Sequence, residues 1–408
     1  MKLTGFLLSC IQSVDNFMNV QRNLFAALLI FLVFLLTPQY LKLIGLDSET
    51  AEQEVPSNEF VDESIINITE PPPSKVADEI DLNINEKKIT IINQYYEITL
   101  SSVGGGSIIK YVLSGQDDSN EYNYLGTFDE TGVYNDNNPV VLSHTTMNSG
   151  CSPCLSINNG AYQFRDNFIL GNYNDMDTIY LKGSKNIVLD YQYILDSGDY
   201  IIKSMEFFAD SYEINSSFEY NLKESFPHSN VEIYWDSGIA PTELNSYDEA
   251  TYSGAYVYQN NDIDYIVQSG ENELSPERFN LPTDWIAIRN KFFTMAIIPT
   301  IKADYAILES RNLYFNPSPI SNKTILSAPI YSATIGFRGS VGSLGFTNYI
   351  GPLDVDYIND VDSNLQAIMN FGWSIIAPFS KIILWFVKIL NNFLNINYGV
   401  ILIIIAII

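Results

Sequence analysis

The sequence predicts a mainly β protein held between membrane-seeking segments, and three observations carry that expectation. Tyr, Phe, Ile, Val and Thr dominate the middle of the chain and alternate with clusters of Asn, Asp, Gly and Ser, the pattern of short strands and tight turns. One apolar run lies near the start of the chain and another at its end. Between them no alternation of strand and helix signals appears, so a sandwich or a closed antiparallel sheet is expected rather than a parallel one.

Composition narrows the function classes before any motif is read. At 408 residues with 46% hydrophobic content the chain can build a substantial core. A formal charge of -27 makes nucleic acid an improbable partner, because phosphate binding relies on Lys and Arg to release counterions. The acidity reads instead as a solvated surface.

Residues 1–23 read as an N-terminal extension, expected on the cytoplasmic side. Residues 24–36, LFAALLIFLVFLL, are apolar throughout. Continued to Leu46, with Lys42 snorkelling, the run 24–46 reaches the roughly 20 residues that a transmembrane helix needs. Thr37, Pro38, Gln39 and Tyr40 follow where a cleavage site would want small residues, so an uncleaved anchor is expected. Arg22 precedes the span and a run of acids follows it, which suits an N-terminus inside. Residues 47–86 are acidic, contain Pro71, Pro72 and Pro73, and have too little apolar surface to order themselves, the composition of a tether.

A β domain is expected over residues 87–351. Two strand-like runs, 89–100 and 108–113, flank Gly104, Gly105 and Gly106, which supply the positive φ angles of a tight hairpin turn. TIYLKG, IVLDYQYIL, YIIKSMEFF, YEINSSFEYNL and NVEIYW continue the pattern. Residues 352–395 then read as a linker and an amphipathic helix. At about 100° per residue, Lys381, Lys388, Asn392 and Asn395 share a narrow arc, and Ile382, Ile383, Trp385, Phe386, Ile389, Leu390 and Phe393 fill the rest. A wide apolar face opposite lysines, with Trp385 at its edge, suits a helix lying in the membrane surface and in contact with the lipid bilayer. Residues 396–408 begin a further apolar run, shorter than a span requires, and are expected to be the start of a second transmembrane helix cut before its end.

Catalytic chemistry is not evident. Cys151 and Cys154 form a C-x-x-C in a turn-rich stretch, open to reading as a redox pair, a short-range disulfide or idle thiols, and no second pair completes a zinc site. His144 and His228 are flanked by polar residues and read as isolated surface histidines. The glycines of GFRGSVGSLGF lack the Lys-Ser/Thr of a phosphate loop and read as turns. No cofactor or metal is expected, and no enzymatic activity.

Several stretches resemble one family. MNVQRNLFAALLIFLVF, with Gln21, Arg22 and Asn23 leading into the first span, resembles the opening of Gram-negative members of the YidC/Oxa/Alb family of membrane-protein insertases. GGSIIKYVL, with Gly105 and Gly106, resembles the first hairpin of that family's periplasmic domain. WIAIRNKFFTMAIIP, from Trp285, and NYIGPLD, with Gly351 and Pro352, resemble two of its later segments. FGWSIIAPFSKIILWFVKILNNFLNINYGVILIII, with Gly372, Trp373, Pro378 and Gly399, resembles its interfacial helix and the entry to its second span.

The resemblance implies a periplasmic β-supersandwich in a multi-pass protein of the bacterial inner membrane. That protein would insert and help fold nascent membrane proteins, alone or with Sec translocon components. It also implies a groove arginine beyond Ile408, outside the residues given. The alternative from another class is a membrane-anchored periplasmic carbohydrate-binding or mutarotase-like protein, which would bring His and Glu together in a cleft.

Overall fold

The computed structural model describes residues 86–394, apart from 117–119, 130–131, 145–150, 223–224, 269–273, 316–325, 340–341, 362 and 370–376, together with Ile401. The expected anchor, nearly all of the tether and the final run except Ile401 therefore lie outside the described residues, as do Gln21, Arg22, Asn23, Gly372, Trp373 and Gly399.

The described chain is mainly β, in sheets of nine, six, five and two strands. The nine-stranded sheet runs in the order Asp262–Ile266, Gly254–Gln259, Thr283–Arg289, Phe293–Pro299, Ser343–Pro352, Glu213–Asn221, Tyr200–Phe208, Asn186–Ile194 and Ile169–Leu170. The six-stranded sheet is built on Tyr305–Phe315 and Leu326–Arg338, with Asn230–Trp235 beside them. The five-stranded sheet contains the hairpin of Glu97–Ser101 and Ser107–Val112. Every described pairing is antiparallel except that of Lys88–Ile92 with Thr178–Tyr180.

Side-chain period explains why these segments are strands. In Tyr200–Phe208, Ile201, Lys203, Met205 and Phe207 are buried and the residues between them are half-buried, so one face enters the core. One contiguous core runs through all three large sheets, with Trp235, Trp285, Tyr111 and Tyr349 among its largest side chains. Tyr111 ties the five-stranded sheet to the nine-stranded one by donating from its hydroxyl to the Ile350 carbonyl at 2.6 Å.

Three local expectations need correction. Residues 89–100 fold as two strands, Lys88–Ile92 and Glu97–Ser101, because Asn93 reverses the chain. Its Oδ1 accepts from the amides of Tyr95 and Tyr96, both at 2.8 Å, and its amide nitrogen donates to the Phe208 carbonyl. In GFRGSVGSLGF only Gly339 and Gly342 have positive φ, at 83° and 79°. Gly336 and Gly345 lie inside strands, and at Gly336 the Tyr305 ring occupies the space a Cβ would need. His144 is buried at 4% exposure, directly after the edge strand Val141–Ser143, whose last two residues are buried, while His228 is half-buried with Nδ1 2.8 Å from the Phe226 carbonyl.

Candidate functional site

The nine-stranded sheet delivers the chain to one end. Phe293 is opposite Pro352, Arg289 opposite Thr294, and Gly254 opposite Arg289, so these strand ends lie together. The chain leaves the sheet through Pro352, Leu353 and Asp354. The Tyr349 hydroxyl donates to the Pro352 carbonyl at 2.6 Å, and the Leu353 amide donates to the Phe292 carbonyl at 2.7 Å.

Packing continues past that exit. Helix Val355–Val361 and the 3-10 turn Ser363–Ile368 bury Ile358, Leu365 and Ile368 in the core. Arg289 fixes the second of these, donating from Nη1 to the Ile368 carbonyl at 2.6 Å, and burial lowers the pKa of its guanidinium.

The long helix Ala377–Leu394 follows, with Pro378 in its first turn, where a missing N–H costs nothing. The helix contains Lys381, Trp385 and Lys388. Its apolar arc faces outward: Trp385 is 63% exposed and Ile382 61%, with Ile383, Phe386 and Ile389 also exposed. On the other side Val387 is buried, and Lys388 Nζ donates to Asp356 at 2.7 Å and lies 3.9 Å from Asp354. Neither partner is adjacent to Lys388 in the sequence, and together they engage one of the two lysines of the polar arc. No helix among the described residues is long and apolar enough to cross a membrane. The long helix is amphipathic and its greasy side is uncovered.

The remaining family-like residues are packing devices. Gly105 and Gly106 form the hairpin turn with φ of 63° and 72°, pressed against the rings of Phe168 and Tyr191. At Gly106 a Cβ would fall against the Tyr191 ring, so Gly106→Ala combines backbone strain with a clash. It should cost about 2 kcal/mol or more in a urea titration; a loss below about 0.5 kcal/mol would refute this account of the turn. Trp285 is fully buried and stacks on Tyr258 at 5.2 Å between centroids. Gly351 gives room to the Tyr212 ring.

Cys151 and Cys154 form a disulfide, and both are buried, out of reach of a thiol partner. Among the described residues no group of three His, Cys, Asp or Glu side chains could hold a metal. Two surface cavities stand out. One is lined by Leu274, Pro276, Glu309, Arg311 and Ser332, the other by Leu125, Glu243, Phe292, Leu353 and Asp354, and neither includes His144 or His228. The His–Glu cleft that the mutarotase-like alternative requires is not formed at either cavity.

A β sandwich that hands the chain to an amphipathic helix with an uncovered apolar side defines the extramembrane domain of a membrane-associated protein. Residues 173–386, just over half of the chain, match the family model described as the YidC periplasmic domain, and the chain belongs to the YidC family. It is similar to the membrane protein insertase YidC of Chlorobium limicola, 29% identical over 336 residues covering 79% of this chain and 51% of the relative. A second relative of the same name, from Prosthecochloris aestuarii, is 26% identical over 327 residues with the same coverage of 79% and 51%. The chain spans about half the length of the curated relatives it matches.

Solved structures align far more weakly. A GalM/aldose epimerase homologue from C. elegans aligns at a TM-score of 0.31 and 9% identity, covering 66% of this chain and 100% of that one. The α-N-acetylgalactosaminidase NagBb from Bifidobacterium bifidum in complex with GalNAc aligns at 0.34 and 9%, covering 58% of this chain and 36% of that one. Both are too distant to carry any inference about this chain.

Proposed function

We propose that this chain is the periplasmic domain and the membrane-entry segment of an insertase in the bacterial inner membrane. The whole protein receives nascent membrane proteins, alone or beside Sec translocon components, and helps them enter and fold in the bilayer. One observation carries this reading: the family match, residues 173–386, extends from the β domain into the long helix.

In this role the long helix lies in the membrane surface. Ile382, Ile383, Phe386 and Ile389 enter the acyl boundary, each side chain gaining up to about 1.5–3 kcal/mol on full burial, and Trp385 sits at the headgroup level. That apolar gain outweighs the roughly 1 kcal/mol that a lysine adds near an anionic surface. The bond from Lys388 to Asp356 and its ion pair with Asp354 tie the helix to the chain where it leaves the β domain. Because these groups are partly exposed, the join is worth at most about 1 kcal/mol and can flex. No bond-making chemistry and no cofactor enter the mechanism.

The test is rescue of a cell depleted of its own insertase. The full-length gene should restore growth, and the same gene carrying Ile383→Glu with Phe386→Glu should not, at equal protein level. Failure of the unaltered gene would overturn the insertase reading. Full rescue by the doubly charged variant would remove the interfacial role of the helix.

A further inference from the structure

We propose that the exit end of the β domain is itself a bilayer-contact surface, in which Leu125, Leu244, Tyr247, Tyr252 and Phe292 rest at the headgroup level beside the long helix. This rests on the reading of that helix as interfacial, and extends the membrane contact from the helix to the folded domain.

These five side chains come from three separate stretches of chain, yet the fold gathers them. Phe292 is in the turn before Phe293, which is opposite Pro352 at the end of the last strand. Tyr252 precedes Gly254, opposite Arg289 at the same end, and Tyr247 belongs to the short helix Ser246–Ala250 just before it. Tyr124 packs edge-on against Phe293 at 5.5 Å, which brings Leu125 to the group. Leu125, Glu243, Phe292, Leu353 and Asp354 line one cavity, and Leu244 follows Glu243 in the chain. All five are exposed, Tyr247 at 85% and Leu244 at 71%.

Lone exposed apolar residues are ordinary, whereas a group of them around one feature marks a contact surface. Here the feature is the point where the chain leaves for the long helix. Lys388 of that helix lies 3.9 Å from Asp354, a residue of the same cavity wall, so the patch adjoins the long helix.

The patch chemistry favours lipid. Two tyrosines with leucines and a phenylalanine are the makeup of an interfacial belt, since tyrosine keeps its ring in the acyl boundary and its hydroxyl in water. The charges nearby do not point to anionic headgroups. Lys291 lies 5.6 Å from the Tyr252 ring centre and 5.2 Å from that of Phe292, but it bonds Asp248 at 2.8 Å, and Glu243 and Asp354 add negative charge. A zwitterionic bilayer, met through apolar and aromatic contact, is the occupant that fits.

The experiment uses the whole chain with Cys10→Ser, reconstituted in phosphatidylcholine vesicles containing lipid brominated high on the acyl chain. A single environment-sensitive fluorophore is attached through Tyr247→Cys, Leu244→Cys, Trp385→Cys or Ile194→Cys. Ile194 is 67% exposed and pairs with Tyr200 at the opposite end of the strands, roughly 30 Å from Pro352 for a strand of this length. Labels at 244, 247 and 385 should lose most of their emission to the brominated lipid, and the label at 194 should keep it. Quenching at 385 without quenching at 244 and 247 overturns this proposal and leaves the interfacial helix standing. No quenching at 385 removes the helix reading and this proposal with it. A blue shift at 247 that brominated lipid does not quench places a protein there instead, a partner or a second copy, and also overturns the proposal.

Discussion

Trp285→Ala should lower the stability of the β domain by about 3–5 kcal/mol, the usual cost of truncating a large buried aromatic. Trp285 is fully buried in the strand Thr283–Arg289, and its indole stacks nearly flat on Tyr258 of the neighbouring strand, 9° between planes. That strand lies between Gly254–Gln259 and Phe293–Pro299, both rich in buried residues, so the cavity has little room to collapse. The indole Nε1 has no hydrogen-bond partner among the described residues. Trp285→Phe, which removes that buried N–H while keeping a ring, should therefore cost well under half as much. Urea unfolding followed by circular dichroism reads both values, and a shifted midpoint at an unchanged slope reports a change in stability. If Trp285→Ala loses less than about 1 kcal/mol, the residue is not the packing centre described here. Against a typical total of about 5–15 kcal/mol the loss is large.

Much of this fold could be read before it was seen, and the misses have definite causes. YIIKSMEFF and NVEIYW match the strands Tyr200–Phe208 and Asn230–Trp235 residue for residue, because each is bounded by turn formers. The run 89–100 hid a turn because the two residues that Asn93 caps are tyrosines, which favour strands. Gly336 looked like a turn, yet its role is to make space for a ring thirty-one positions earlier in the chain, at Tyr305, and no local pattern reports that. At the candidate site, the helical projection located Trp385 and the outward apolar arc, since both are local properties of one helix. The pairing of Lys388 with Asp356, and the meeting of Leu125, Leu244 and Phe292 at one end of the sheet, depend on the tertiary course of the chain. One signal was available and not used: the alternation of YIIKSMEFF assigns Lys203 to the buried face with Ile201, Met205 and Phe207.

That buried lysine gives the domain a stability that should rise with pH through the neutral and mildly alkaline range. Lys203 is fully buried, and its Nζ donates to the Pro153 carbonyl at 2.7 Å and to the Gly106 carbonyl at 3.3 Å, with the Phe218 ring 5.5 Å away. It thereby ties the loop between Cys151 and Cys154 to the glycine hairpin turn, using carbonyl dipoles and an aromatic face where a counter-ion would be usual. Burial lowers its pKa from the ordinary 10.5 to about 7. Between those two values the unfolded chain holds a proton that the folded chain has released, so raising the pH favours the folded state. Below about 7 both states are charged and the full desolvation penalty persists; it is relieved as the pH climbs and the neutral amine keeps a donor for the Pro153 carbonyl. The gain should reach the order of 4 kcal/mol near pH 10. From about pH 9 upward the buried tyrosines act in the opposite direction. Tyr96, Tyr111 and Tyr349 have their pKa values raised by burial, so the unfolded chain ionises first and stability falls. A series of urea midpoints from pH 6 to 11 should therefore climb from neutrality, turn over near about pH 9 and then decline. Lys203→Met should flatten the climb and leave the decline. A wild-type curve that is flat or falling between about pH 7 and 8.5, or a Lys203→Met curve that rises as the wild type does, would show that this amine is not the group that couples protons to folding.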